Sequence, residues 1–174
     1  MKFILGNGEL LRNRLETFPE RYKNGFSSSQ ILVICVTNDN EVVGACGISK
    51  ISNYALAYLK EKYRGRGLGT KLEGKTYSEA RKHGLDFVAG AIHLWNLPAR
   101  RVASKVGYRE VVQLRDFGYV LLMIPFTFKG ELLYAFLHAL CSKLPRTFLH
   151  AIVLVSMSVV ESIRQSLSVI LSGS

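Results

Sequence analysis

The sequence predicts an α/β (α+β) fold: a mixed, largely antiparallel central sheet flanked by helices, with a helical hairpin appended at the C-terminus. Three observations carry that expectation. Two pairs of apolar, strand-like runs are separated only by turn residues, at Asn38–Asn40 and around Asp116–Gly118, which predicts antiparallel hairpins. Between them, an extended run at Tyr54–Leu59 leads through a glycine-rich turn into a segment with helical character, Lys71–His83. Beyond Phe128 the character changes to two helical stretches broken at Pro145.

The elements follow in order. Leu10, Leu11, Leu15 and Phe18 recur at helical spacing, which predicts an amphipathic helix within Gly8–Tyr22, ended at Pro19 or soon after. Asn24–Gln30 reads as a polar loop. Ile31–Thr37 and Glu41–Ser49 read as the strands of the first hairpin, and Tyr54–Leu59 as a third strand. Helix Lys71–His83 stops at Gly84. Its apolar stripe (Leu68, Leu72, Thr76, Ala80) is thin, and Gly74 in mid-helix costs about 1 kcal/mol relative to alanine. Asp86–Trp95 alternates as a fourth strand. Pro98 opens a helix that runs to Lys105 before Gly107. Val111–Leu114 and Tyr119–Phe126 form the closing hairpin. Glu131–Ser142 and Thr147–Leu171 are the appended helices, either packed on the domain or on a second subunit, or lying on a membrane surface. The expected division is a domain over 1–128 and an appendage over 129–174.

Composition bounds the function. A chain of 174 residues, 48% hydrophobic and 21% charged, buries a core as one domain. Cys35, Cys46 and Cys141 show no C-x-x-C spacing and pair with no histidine at ligand spacing, so no metal is expected, and a reduced, cytoplasmic setting follows. Met1–Leu5 meets Gly6 too soon to form a signal-peptide core. The net charge of +10 calls for an anionic partner. Much of it lies near the glycine turn, in Lys60, Lys62, Arg64, Arg66, Lys71, Lys75, Arg81 and Lys82. Nucleic acid is not expected, because these cations lack interleaved aromatics and no helix-turn-helix or zinc spacing appears.

The turn itself is Arg64-Gly65-Arg66-Gly67-Leu68-Gly69-Thr70. Its glycines let the backbone turn tightly and bring N–H groups close to a ligand. The helix beginning there offers unpaired N–H groups and a positive dipole end. The alternatives at this point are an anion cradle suited to phosphate or pyrophosphate, and an ordinary tight connection with exposed arginines. Neither G-x-x-x-x-G-K-[ST] nor G-x-G-x-x-G fits the spacing.

A second constellation gives the first its meaning. Asn96-Leu97-Pro98-Ala99, followed by Lys105-Val106-Gly107-Tyr108, resembles the acetyl-CoA-dependent N-acetyltransferases of the GNAT superfamily. Their other signature, Arg/Gln-x-x-Gly-x-Gly/Ala, is matched by Arg64, Gly67 and Gly69, in the right order along the chain. The resemblance covers roughly Ile31–Phe126. It implies that Arg64, Gly65, Arg66, Gly67, Leu68, Gly69 and Thr70 bind the CoA pyrophosphate. It further implies that the backbone of Ala57–Leu59 pairs with the pantetheine arm, that Leu59 N–H polarises the thioester carbonyl, and that Asn96 holds the pantetheine or the helix start. The strands Tyr54–Leu59 and Asp86–Trp95 would splay apart around the thioester.

The resemblance also implies a base and an acid, and here the chain departs from it. Asn53 and Ala91 stand at common base positions, and Ala103 stands where the acid Tyr is usual. By strand alternation His93 shares a face with Ala91 and is the substitute base, unless it is a packed strand histidine. Tyr54 is the other catalytic candidate, and Ser104 a weaker one. An α-amine of pKa about 8 is roughly a tenth neutral at pH 7, against under a thousandth for lysine, so a missing carboxylate favours a weakly basic acceptor. Two functions remain: an acyltransferase moving acetyl or another acyl group from acyl-CoA to an amine, and a CoA-binding protein of the same fold without turnover. A homodimer through the C-terminal helices and a membrane-surface contact remain open as partner roles.

Overall fold

The structure, a computed structural model, describes residues 1–143. Strands β1 (Lys2–Gly6), β2 (Ser29–Val36), β3 (Val42–Ser49) and β4 (Ala55–Leu59) form one antiparallel sheet in chain order. Strands β5 (Phe87–His93), β6 (Arg109–Leu114) and β7 (Tyr119–Pro125) form a second, in the order β5-β7-β6, also antiparallel. Among the described residues the two sheets join by backbone pairing at one place, a parallel bridge between Tyr54 and Ala89. There Ala89 N–H donates to the Asn53 carbonyl at 3.0 Å. Past that bridge β4 and β5 diverge. The expected mixed, largely antiparallel sheet flanked by helices is present.

Helix α1 (Glu20–Ser27) covers one face of the first sheet and α2 (Leu68–Lys82) the other. Strand β2 serves both sides, which is why it reads as a continuous apolar run rather than an alternating one. Ile31, Val33 and Cys35 face Leu72, Tyr77 and Ala80 of α2. Leu32, Ile34 and Val36 face Leu15, Phe18 and Phe26 on the α1 side. Each such side chain stabilises the fold by about 1.5–3 kcal/mol through its removal from water. Helix α3 (Leu97–Val106) lies beside α2, and α4 (Phe128–Lys143) packs on β6 and β7. Tyr134 Oη of α4 donates to Glu110 O at 2.9 Å, and His138 Nδ1 lies 3.1 Å from Val111 O. The expected helix over Thr147–Leu171 lies outside the described residues.

Two expectations near the N-terminus are corrected, and one strand is added. No single helix fills Gly8–Tyr22: Arg12–Leu15 is a 3₁₀ turn, and the helix begins after Pro19 instead of ending there. Pro19 has φ −58 and ψ 140, and a residue with a fixed φ and no N–H suits a helix start. The apolar spacing still marked buried positions, since Leu11, Leu15 and Phe18 are all in the core. Asn24–Gln30 is not a loop, because α1 continues to Ser27 and β2 starts at Ser29. Lys2–Gly6, unassigned from sequence, is the edge strand beside β2. Elsewhere the elements sit within a few residues of expectation, α4 opening at Phe128 rather than Glu131.

Candidate active site

The site is built where β4 ends. Glu41, in the turn before β3, accepts from the Tyr63 hydroxyl at 2.8 Å and pairs with Lys60 and Lys62 at 3.2 and 3.1 Å. The Tyr63 hydrogen bond first, and the two lysines after it, hold the Glu41 carboxyl down at about 2. This clamp fixes the segment that enters the glycine turn. Arg64 follows, its Nε donating to Leu59 O at 3.0 Å, so its charge folds back over the end of β4.

Gly65 and Gly67 have φ of +76 and +73, with nothing within 4 Å of where a Cβ would stand. Gly67 is the N-cap of α2, and the first intrahelical bond runs from Lys71 N–H to Gly67 O. The N–H groups of Gly67, Leu68, Gly69 and Thr70 therefore have no helical acceptor. Arg64, Arg66 and Lys71 are exposed around them. Open space, free donors and cations together fit a phosphate or pyrophosphate group.

The edge of β4 leads directly into that cradle. Lys60 N–H donates to Val43 O, so by strand alternation the N–H groups of Leu59 and Ala57 point away from β3 into the gap. Ala89 N–H points into the same gap from β5, and so does Ala91 N–H two residues on. The gap is thus bordered by edge backbone on both sides: Ala57 and Leu59 N–H are open on β4, while on β5 Ala89 N–H is taken by Asn53 O and Ala91 N–H by the Tyr54 hydroxyl.

Two sets of side chains line it. Cys46 and Ile48 face α2, so their β3–β4 partners Ala57 and Ala55 do too, and Tyr54 and Leu56 lie on the opposite face. On β5, Val88 faces α2, which puts Ala89, Ala91 and His93 on the Tyr54 side. There the Tyr119 hydroxyl lies 2.8 Å from His93 Nε2, and the His93 ring stacks on Trp95 at 5.0 Å. Although Tyr54 is 38% exposed, burial of its hydroxyl pushes it up to about 12, against a hydrogen bond from the Ala91 backbone and with Tyr119 nearby. At neutral pH Tyr54 is a hydrogen-bond donor, not a base.

On the α2 side lie Glu73, Tyr77 and Tyr108, none of them anticipated as site residues. Tyr77 donates to Glu73 Oε2 at 3.0 Å, and the hydroxyls of Tyr77 and Tyr108 are 3.1 Å apart. Burial pushes Glu73 up to about 7, opposed by the Tyr77 hydroxyl. Burial also raises both phenols well above the ordinary range. The i, i+4 pair Glu73–Tyr77 flanking the Leu72 stripe was the available signal. Glu41 gave none, since its partners are distant in sequence.

The remaining anticipated residues are also placed. Asn96 Oδ1 accepts from Ala99 N–H at 3.2 Å, so Asn96 caps α3. Asn53 has φ +51 and receives Gln30 Nε2 on its side chain, so it anchors the inter-sheet bridge. A cavity of about 380 Å³ lies beneath α3, lined by Arg100, Ser104, Glu110 and Leu122 among others, and includes none of the glycine-turn residues. Among the described residues no cluster of His, Cys, Asp or Glu would hold a metal, and no helix is long and apolar enough to cross a membrane.

A glycine turn thus opens α2, and the free edge of β4 leads into it. Residues 9–108 match the model of the acetyltransferase (GNAT) family, and the chain belongs to that family. Solved structures similar in fold include a GNAT-family acetyltransferase from Staphylococcus aureus, 14% identical, TM-score 0.54, covering 72% of this chain and 99% of that one. Ribosomal-protein-S5-alanine acetyltransferase from Vibrio fischeri is 13% identical, with a TM-score of 0.52 over 71% of this chain and 91% of that one. PaiA N-acetyltransferase from Thermoplasma acidophilum, solved in complex with coenzyme A, is 15% identical, with a TM-score of 0.52 over 72% and 100%. A comparison with curated proteins finds no match.

Proposed function

We propose that this chain transfers an acetyl or other acyl group from acyl-CoA to an amine, by direct attack of the amine on the thioester. The observation that carries this reading is the continuity of two binding features: the open β4 edge at Ala57–Leu59 runs straight into the N–H cradle at Gly65–Thr70. The pyrophosphate takes the cradle N–H groups and Arg66, while Arg64 stays tied to the strand end. The pantetheine arm adds to β4 as a strand adds to a sheet edge. Leu59 N–H polarises the thioester carbonyl. Asn96 contributes by fixing the start of α3 rather than by touching the cofactor.

The acceptor enters on the Tyr54–His93 side. With Nε2–H donated to the Tyr119 hydroxyl, Nδ1 of His93 holds the lone pair that removes the ammonium proton. Tyr54 accepts from Ala91 N–H and keeps its own O–H to orient the amine. No carboxylate occupies either base position common in the family, which favours an α-amine or other weakly basic acceptor, on a small molecule or a protein terminus.

The second reading, CoA binding without turnover, draws on the replacement of the usual base and acid positions by Asn53, Ala91 and Ala103. One experiment separates them. Acetyl-CoA and longer acyl-CoAs are incubated with a panel of amines while free thiol is read. Acceptor-dependent thiol release is expected; tight CoA binding with no release from any pair selects the second reading.

A further inference from the structure

On the α2 side of the gap, a polar chain runs through an otherwise apolar core. It starts at Glu73, passes the Tyr77 hydroxyl at 3.0 Å and reaches the Tyr108 hydroxyl 3.1 Å further on. The two rings meet edge to face, 5.6 Å apart at 90°, so the phenols are held by packing as well as by their bond. The Tyr108 hydroxyl ends against β5: a Cβ on Gly90 would lie 3.2 Å from its oxygen. Gly90 is the residue after Ala89, where the two sheets last touch, so the chain comes out at the point where β4 and β5 part. Apolar side chains would fill this space without burying a carboxyl, so packing alone does not account for Glu73.

We propose, resting on the acyl-transfer reading above, that Glu73, Tyr77 and Tyr108 form a proton path to the CoA thiolate as it leaves, in place of the hydroxyl absent at Ala103. As the carbon–sulfur bond breaks, Tyr108 gives its hydroxyl proton to sulfur. Tyr77 passes its proton to the Tyr108 oxygen, and protonated Glu73 passes its own to the Tyr77 oxygen. One proton leaves Glu73 and one reaches sulfur, with both phenols unchanged. Afterwards Glu73 is a carboxylate accepting from the Tyr77 hydroxyl, across the 3.0 Å contact between them. Tyr108 is the catalytic acid; Tyr77 and Glu73 position and resupply it.

The surroundings suit this role. The groups that face the path are Cys46 from β3, Thr76 from α2 and Tyr54 across the gap, with no cation among them. No cation therefore holds Glu73 ionised, and burial, opposed by the Tyr77 hydroxyl, raises it to about 7. An ordinary thiol titrates near 8.5, so transfer from Glu73 to the thiolate runs downhill. The phenols, raised far above that, carry the proton without losing it for good.

The test uses the full chain and three variants that remove one polar group each: Tyr108→Phe, Tyr77→Phe and Glu73→Gln. CoA binding is followed by calorimetry. The titration of the bound CoA thiol is followed by thiolate absorbance, and the rate is measured across pH with acetyl-CoA and an active amine. The expected result is retained CoA binding, a higher thiol pKa in Tyr108→Phe, and rates lowered roughly 100-fold in all three. The double variant Tyr108→Phe/Glu73→Gln is no slower than either single one. The fall in wild-type rate above pH about 7 disappears in Glu73→Gln. A folded Tyr108→Phe protein with unchanged thiol titration and pH profile overturns the path and makes the three residues structural. Failure of the wild-type chain to bind CoA is a separate result, which removes the acyl-transfer reading and the path with it.

Discussion

At the scale of single residues, the proposed chemistry is divided between the two faces of one gap. His93, with Tyr119 behind it and Tyr54 beside it, stands on one face. His93→Ala is expected to lower the rate by about 100-fold near neutral pH. The deficit should shrink as pH approaches the pKa of the amine, where free amine no longer needs a base. A rate ratio flat across pH, measured with saturating acyl-CoA, removes His93 from the mechanism. Glu41 acts at a distance from the chemistry. Its folded pKa lies below the ordinary value of 4.5, at about 2, so the clamp on Lys60, Lys62 and Tyr63 is complete above 4.5. Its contribution is lost as pH falls through about 2, and it contributes no pH dependence in the neutral range. Glu41→Gln removes the charge at every pH. Titration should show weaker CoA binding with the fold retained, and unchanged affinity would mean that the clamp does not position the turn.

Among the elements, α2 carries the most of the proposed function. Its first turn is the cradle, its inward face holds Leu72, Thr76 and Ala80, and the same helix contributes Glu73 and Tyr77. Gly74 has no part in this: it is exposed, mid-helix, with nothing within 4 Å of a Cβ. Gly74→Ala should therefore stabilise the chain by about 1 kcal/mol. Thermal unfolding should move up by a few degrees with CoA affinity unchanged; a lower midpoint would show that the glycine meets a local backbone need. Much of this architecture was legible in the sequence because each element announced itself locally. Asn38–Asn40 marked a turn, Gly67 and Gly107 marked helix ends, and β2 was uniformly apolar. What was not legible depended on distant contacts. Lys2–Gly6 is a strand because β2 offers an edge to it, and Pro19 reads equally well as a stop or a start until the packing of Phe18 and Phe26 decides. In the site, the glycine turn was readable because positive-φ glycines and a helix start are written in adjacent residues. Glu73, Tyr77, Tyr108 and Glu41 were not, since their meaning lies in partners that only folding brings together.

For the whole molecule, the division of one sheet into two is the feature on which the proposed function rests. Asn53 and Ala89 hold the halves together at a single backbone contact among the described residues, and the divergence beyond it exposes the edge backbone to which the proposed pantetheine arm would add. The net charge of +10 favours an anionic ligand over the whole surface, and the cradle focuses it through Arg64, Arg66 and Lys71. CoA affinity should therefore fall as salt is raised, because these cations are exposed and screened. Titrations at low and physiological ionic strength check this, and salt-independent binding would place the pyrophosphate elsewhere.

The proposed hold on CoA by the backbone of the glycine turn is probed by Gly67→Val. Valine has no comfortable conformation at φ +73, yet its side chain would point into open space, so the core is untouched and the cradle alone is distorted. CoA titrated into the wild-type and variant chains, with circular dichroism as the fold control, should show binding by the first and none by a folded second. Equal affinity in the two would mean that the turn backbone does not hold CoA.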